Sequence, residues 1–356
     1  MKIDFLISKM TDGGAQRVIS LIANYLDDKG HQIRIISFTG GDQYPLNEAV
    51  ERVRLHEQPL IKSVVFSGFF SLLSFYKKKE NRPDIMNSHI DLLGYMTIPV
   101  AKIYGIKIIV SEHNNHLSRY TYQEKFLWTF LYPMANAVTI LTSFDLNYFS
   151  KKNKKVVVMP NPCSFEIAEN LSSKRKKEIV AIGQLNRYHH KGFDNLIKIA
   201  KLVGDQKPDW LFKIIGAGDH GREILERMVE EADVTNIEFS GYRTDIKDIL
   251  NKAEIFMLPS RFEGLPMTLL EACSQGAACI AYDCISGPSD ILVNEESGLL
   301  IENQNIEAMV SGLLRLIDDN IFRAELQKNA PLALEKFSMS NVGDKWEYLL
   351  KEVRLK

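Results

Sequence analysis

Short apolar segments alternate with longer stretches of helical apolar spacing, and the alternation runs twice along the chain. Nothing else constrains the fold as much. Strands separated by helices pair in parallel through right-handed crossovers, which cover both faces of the sheet with helices. In the first run, strands are expected at residues 3–8, 33–38, 84–88, 107–112, 137–141 and 155–159. Helices are expected at 15–29, 92–104, 122–136 and 144–150. The first repeats Val18, Ile19, Leu21, Ile22, Tyr25 and Leu26 on one face, and Gly30 stops it.

Residues 160–176 break the rhythm with Pro160-Asn161-Pro162 and a polar stretch that ends in Lys174-Arg175-Lys176, the composition of an interdomain linker. The alternation then restarts, with strands at 178–182, 211–215, 237–239, 255–258 and 278–281. The helices of this run are expected at 193–203, 220–231, 245–251, 266–275, 306–316 and 321–336. The expected fold class is α/β, with two doubly wound, Rossmann-like domains. They cover residues 1–162 and 163–340, and a last helix over 341–356 packs back on the first. A length of 356 residues suits two domains of ~100–200 residues. With two such sheets, a cleft between them is the expected site.

The formal net charge of −1 argues against a nucleic-acid partner, but the balance is uneven. Residues 1–160 hold 20 Lys or Arg against 14 acids, and residues 161–356 hold 24 against 31. A basic first half suits an anionic partner such as a phosphate or a lipid headgroup. Cys163, Cys273, Cys279 and Cys284 show no metal-ligand spacing and read as small core residues. No export signal opens the chain, and no apolar run reaches the ~20 residues of a membrane span. A cytoplasmic protein is therefore expected.

The most informative segment is Pro259-Ser260-Arg261-Phe262-Glu263-Gly264-Leu265-Pro266-Met267-Thr268-Leu269-Leu270-Glu271-Ala272. A buried strand ends at Leu258, a loop carries Glu263 and Gly264, and Pro266 suits a first helical position. Unpaired amides from Leu265 to Leu269, with the helix dipole, form an anion site suited to a diphosphate. Glu271 lies about one turn further in, ~6 Å along the axis, where a carboxylate can accept from ribose hydroxyls. Glu263 precedes the helix and can reach a sugar beyond the phosphates. Taken alone, two glutamates eight apart also fit solvated acids flanking an ordinary turn.

In this segment the chain resembles glycosyltransferase family 4, which has the GT-B fold. The match is to the family's Glu–seven residues–Glu motif with its Glu-Gly-Leu-Pro opening. Gly13-Gly14-Ala15-Gln16-Arg17-Val18 resembles the family's N-terminal glycine loop. Ser111-Glu112-His113-Asn114 resembles the strand end carrying its acceptor-side histidine. Pro160-Asn161-Pro162 resembles its linker, and Gly183 with Lys191-Gly192 resembles its phosphate-binding loop. Ser286-Gly287-Pro288 and Gly298-Leu299-Leu300 resemble its late turns. Together, in the family's order, these motifs cover essentially the whole chain.

The resemblance implies a nucleotide-sugar donor and no cofactor or metal. Family members usually place Arg directly after the first glycine of the phosphate loop. Here Gln184 stands there, and Arg187 is the nearest guanidinium, either a replacement or a surface residue. Lys191 remains as a point charge for the diphosphate. Glycines at 13 and 14 let the backbone approach a phosphate or sugar closely. Gly216-Ala217-Gly218 would line the nucleotide side, and the backbone at Gly241-Tyr242-Arg243 would contact the base.

By resemblance, His113 contacts the transferred sugar or orients the acceptor, with Asn114 beside it and His89 as a weaker sibling. His116, His189 and His190 read as surface residues, and no zinc-site spacing joins them. A dinucleotide site is disfavoured, because Gly-x-Gly-x-x-Gly is absent.

The expected reaction is transfer with retention of configuration, from a UDP-sugar by base rate, onto a glycan or lipid-linked saccharide of a bacterial surface polysaccharide. Glu263 holds sugar hydroxyls, while Lys191 and the helix end take the leaving charge. Residues 63–76 are apolar and end at Lys77-Lys78-Lys79, a pattern that fits either a core helix or a helix on an anionic bilayer, with Lys151, Lys152, Lys154 and Lys155 extending the basic face. The rivals are a nucleotide-sugar epimerase of similar fold and a non-catalytic binding homologue, to which Gln184 points.

Overall fold

The computed structural model describes residues 1–11, 13–55, 64–89, 91–118, 121–168 and 174–355. Parts of the expected linker (169–173) and the first residue of the apolar stretch (63) lie outside these. The elements run β1 (Lys2–Met10), α1 (Gly14–Asp28), β2 (Gln32–Asp42), β3 (Glu51–Arg54), α2 (Val64–Lys77), β4 (Ile85–His89), α3 (Gly94–Tyr104) and β5 (Lys107–Ser111). Then come α4 (Tyr122–Phe126), β6 (Ala137–Ile140), α5 (Leu146–Phe149), β7 (Val156–Val158), β8 (Lys176–Ile182), α6 (Tyr188–Lys191) and α7 (Phe193–Gly204). β9 (Leu211–Ile215), α8 (Asp219–Glu231), β10 (Ile237–Gly241), α9 (Ile246–Lys252), β11 (Ala253–Leu258), α10 (Met267–Ser274) and β12 (Ala278–Tyr282) follow. The chain ends through α11 (Pro288–Ile291), β13 (Leu299–Ile301), α12 (Ile306–Asp318), α13 (Asn320–Asn329) and α14 (Met339–Leu355).

The chain divides into two compact units, Met1–Ser164 with Phe337–Lys356, and Phe165–Lys336. The first holds a seven-stranded sheet in the order β3-β2-β1-β4-β5-β6-β7, and the second a six-stranded sheet in the order β10-β9-β8-β11-β12-β13. Every ladder is parallel; Ile3, for example, pairs with Ile33 on one side and Ile85 on the other. Both sheets are the doubly wound kind that the alternation implies, and their central strands are buried on both faces. In the first unit α14 closes on α1: a Cβ on Gly343 would lie 2.4 Å from the Tyr25 ring, and the Tyr25 hydroxyl donates to Asp344 at 2.6 Å.

Several boundaries differ from the sequence expectation for identifiable reasons. β3 and β13 were not expected. β3 is a short edge strand reading Glu-Arg-Val-Arg, so it lacks an apolar run, and its Arg52 and Arg54 both bind Asp42. The single helix expected over 122–136 starts with a capping box between Thr121 and Glu124. It then widens into a π turn, Leu127–Leu131, and tightens to a 3₁₀ turn, Tyr132–Met134, where Pro133 cannot continue an α-helical ladder. The helix expected over 321–336 stops at Asn329, just before Pro331, and a 3₁₀ stretch follows. Pro266 is the cap before α10, with φ −71° and ψ 107°, and not its first helical residue.

Candidate active site

In each sheet the strand order reverses once, between β1 and β4 in the first unit and between β8 and β11 in the second. Ligands of open α/β sheets bind outside the carboxyl ends of strands at such a switch point. Lys191 and Glu263 in the second unit, and His89 and His113 in the first, lie at or next to these points.

In the second unit the loop after β8 meets the loop after β11. Lys191 Nζ lies 2.8 Å from Glu263 Oε1, with both side chains mostly buried. Two contacts hold the loops in register. Gly192 has φ +71°, and a Cβ there would sit 1.8 Å from the Pro259 carbonyl oxygen, so only glycine lets the loops close this tightly. Arg261 donates twice to Asp194, at 2.7 and 2.8 Å, and also to the His189 carbonyl. The Arg261 amide donates to the His190 carbonyl at 3.0 Å. Such bidentate pairing fixes orientation as well as distance.

Burial pushes the Glu263 carboxyl up, but the Lys191 ammonium together with Ser260 and His190 outweighs it, and its pKa lies below the usual carboxylate value. Cys284 sits near the same charges, and burial followed by Glu263 pushes its thiol up to about 12. A thiol held protonated in this way is an inert group.

α10 begins beside this pair. The amides of Met267 and Thr268 have no partner among the described residues. Leu269 leaves the expected anion set, because its amide already donates to the Pro266 carbonyl at 3.1 Å. Glu271 is buried one turn in. Ser286 donates to the Gly264 carbonyl at 3.0 Å, which fixes the turn before the helix. Leu265 and Pro266 are buried in that turn.

Gly183 lies at the end of β8, and a Cβ on Gly216 would fall 1.8 Å from its carbonyl oxygen, so the ends of β8 and β9 are in close contact. Gln184 and Arg187 are exposed. Arg187 points at the His190 ring, 3.3 Å from its nearer nitrogen. His190 is half-buried and not a surface residue; burial, then Arg187, lowers its pKa to about 4. Tyr242 and Arg243 follow β10, two strands from Gly183, with Tyr242 exposed and Arg243 committed to Asp245 at 2.8 and 2.6 Å. β10 is the edge strand of its sheet, away from the switch point.

The switch point of the first unit is built differently. His89 closes β4, and its Nδ1 lies 2.8 Å from His113 Nε2, so one ring donates to the other. Phe5 stacks on His89 at 5.5 Å, and Trp346 of α14 flanks it at 6.3 Å. Burial lowers the His113 pKa to about 4. His89 is held well below the ordinary value, by burial first and His113 second. Both rings are neutral near pH 7. Neither His89 Nε2 nor Trp346 Nε1, both buried, has a hydrogen-bond partner among the described residues. Asn114 is exposed beside them. Glu112 turns inward and accepts from Trp128 Nε1 at 3.0 Å and from the Tyr132 hydroxyl.

Gly13 caps α1, and its amide donates to the Tyr44 hydroxyl at 3.2 Å; Gly14 is exposed. His116 is not a surface histidine. Asp145 accepts from both its Nδ1 (2.6 Å) and its amide (2.9 Å), and its ring lies flat on Tyr148 at 4.2 Å. This pair and Arg261–Asp194 are structural partners of the site that sequence reasoning missed. Their separations of 29 and 67 residues leave no local signal.

Residues 12–166 match the family model described as Glycosyltransferase Family 4, and residues 164–333 match glycosyl transferases group 1. The chain is 31% identical to a GalNAc-α-(1→4)-GalNAc-α-(1→3)-diNAcBac-PP-undecaprenol α-1,4-N-acetyl-D-galactosaminyltransferase of Campylobacter jejuni, covering 99% of both chains. It is 26% identical to a UDP-Gal:α-D-GlcNAc-diphosphoundecaprenol α-1,3-galactosyltransferase of Escherichia coli, over 70% of this chain and 71% of that one. Among solved structures, the Anabaena protein HepE, determined with UDP and glucose, superposes with a TM-score of 0.81 at 14% identity, covering 99% of this chain and 100% of that one.

Proposed function

The chain belongs to the glycosyltransferases of family 4 and group 1, and from that membership we propose that it moves a hexose or N-acetylhexosamine from a UDP-sugar to a lipid-linked saccharide in surface polysaccharide synthesis. The observation that carries the reading is the Lys191–Glu263 pair, set beside the two open amides of α10 at the switch point of the second unit. A fixed cation and a helix N-terminus stabilise a diphosphate leaving group without reorganising.

In this reading the second unit binds the donor. Lys191, Gly183 and the amides of Met267 and Thr268 hold the diphosphate, and Glu271 holds the ribose. Glu263 orients the sugar, and the chain at Gly216, Tyr242 and Arg243 borders the base. The first unit binds the acceptor through His89, His113 and Asn114. The bond from C1 to the diphosphate oxygen breaks on the face where the acceptor oxygen bonds C1, and the acceptor proton passes to the leaving phosphate oxygen. No protein nucleophile is needed, and configuration is retained. The α-1,3-linkage that the Escherichia coli relative is named for supports this, since the UDP-Gal in its name is itself α-linked.

Calorimetry with UDP, GDP and ADP in EDTA tests the donor assignment. Micromolar binding of UDP, lost in Glu271→Ala, is the expected result. Preference for GDP would move the donor class, and a strict need for Mg²⁺ would overturn the site. NMR of the product linkage tests retention; an inverted anomer would remove the front-face route.

A further inference from the structure

Three buried polar atoms of the first unit lie on one face of β4 and lack a match. His89 Nε2, Asn87 Nδ2 and Trp346 Nε1 have no hydrogen-bond partner among the described residues. His89 and Asn87 are fully buried, and Trp346 is 3% exposed. Asn87 and His89 stand two apart on β4, so their side chains leave the same face of the sheet. Trp346 of α14 flanks His89 on that face, and Phe5, the cross-strand neighbour of Asn87, stacks on the same ring. Buried polar groups are nearly always matched, by protein or by ordered water, so three in one place point to a shared partner.

The three atoms differ in what they can exchange. An indole N–H only donates. The Asn87 oxygen is already taken: Thr139 donates to the Ser111 hydroxyl at 2.9 Å, and Ser111 donates to Asn87 Oδ1 at 2.9 Å. Its Nδ2 is left, and that group also only donates. His89 Nε2 alone can either give or accept, according to the tautomer of the ring. A water oxygen offers two lone pairs, and the N–H groups of Trp346 and Asn87 fill both. The water's own proton then goes to His89 Nε2, which makes that nitrogen the accepting one. The ring proton of His89 sits on Nδ1 and is donated across the 2.8 Å contact to His113 Nε2. His113 must then carry its proton on Nδ1, since the hydrogen bond at one imidazole nitrogen sets the state of the other. His113 is part-exposed and makes no other side-chain hydrogen bond among the described residues.

We propose that Trp346 and Asn87, through a shared buried water, are positioning residues that fix the tautomer of the histidine pair, so that His113 meets the sugar substrates as a hydrogen-bond donor and not as a base. The proposal rests on the reading that His113 faces the transferred sugar or its acceptor. A donor at that nitrogen selects an oxygen lone pair of the saccharide, and it leaves the acceptor proton to the departing phosphate.

The test is tautomer-resolving nitrogen NMR of the full chain with isotope-labelled histidine near pH 7, with His89→Gln and His113→Gln to assign the two rings. Wild-type protein is expected to show both rings protonated on Nδ1. Trp346→Phe keeps an aromatic ring and loses the N–H, so packing alone would leave the spectrum as it was. The ratio of Nδ1–H to Nε2–H in both rings is expected to fall about fivefold, the worth of one net hydrogen bond. His116, whose Nδ1 lies 2.6 Å from Asp145 in the same unit, is the internal reference and should not move. A wild-type His113 protonated on Nε2 overturns the proposal, and so does a tautomer ratio unchanged in Trp346→Phe. If the His116 signal shifts as well, the substitution has damaged the first unit, and the wild-type spectrum decides by itself. No substrate is present in these spectra, so failure of the donor or acceptor reading would appear in calorimetry and leave the tautomers untouched.

Discussion

The two units share a doubly wound sheet and a single switch point, yet the chemistry at those points is opposite. The first presents paired neutral imidazoles under aromatic cover, with polar atoms at His89 and Trp346 left unmatched among the described residues. The second presents matched charges, Lys191 on Glu263 and Arg261 on Asp194, beside open helix amides. A strand-end scaffold therefore fixes where a ligand goes and says little about what it is. The charged edge suits a diphosphate, and the neutral edge suits hydroxyl groups that exchange hydrogen bonds.

The largest test of that contrast is Lys191→Ala. Turnover is expected to fall about 10²–10³-fold, the usual cost of removing one preorganised charge from a leaving group. The same substitution at His113 removes a neutral partner, and a loss equal to that at Lys191 would erase the distinction between the two edges. Next is Glu271→Ala, with UDP affinity about 100-fold weaker, roughly 3 kcal/mol, by calorimetry. Acceptor binding to the first unit should not change.

Acid should also separate the units. With a folded pKa of about 4, His113 stays unprotonated in the fold while the unfolded chain binds a proton near pH 6.5. Stability is thus lost as pH falls through that window. The loss is about 2 kcal/mol at pH 5 from this residue, and His89 adds to it in the same direction. In the second unit His190 contributes one such group. Glu263, whose pKa is lowered, loses its contribution only below the ordinary carboxylate range. Trp128 and Trp346 lie in the first unit and Trp210 in the second. Fluorescence of a Trp210→Phe variant in urea therefore reads the first unit alone, and a midpoint unchanged between pH 7 and 5 would contradict the buried neutral pair.

The smallest effect is the least intuitive. Glu263 is already paired with Lys191, so a diphosphate must compete with it. Glu263→Gln should bind UDP several-fold more tightly, about 1 kcal/mol, while sugar transfer slows. Weaker UDP binding would mean that Glu263 organises the phosphate loop instead of opposing its ligand.

Much of the charged edge was legible because its signals are local. Pro266, Gly264 and the strand ending at Leu258 mark a helix start within a few residues, and Lys191-Gly192 marks a tight loop. What escaped was pairing across sequence. Arg261 stood in view, but only the fold brings Asp194 to it. His116 looked solvated because Asp145 and Tyr148 lie beyond a strand. β3 was hidden by its alternating charges, and the π turn at Leu127–Leu131 by an apolar spacing that any helix would share.

The seam between α1 and α14 bears on how the protein is made. The second unit is an insertion within the first, so synthesis must pass through all of it before the helix that covers Tyr25 appears. Domains fold as units while the chain emerges. The second unit has its whole sequence available earlier, and the first unit waits for its closing helix. Over that interval the α1 face around Tyr25 is uncovered, a hydrophobic surface for chaperones to hold until residues 339–355 arrive.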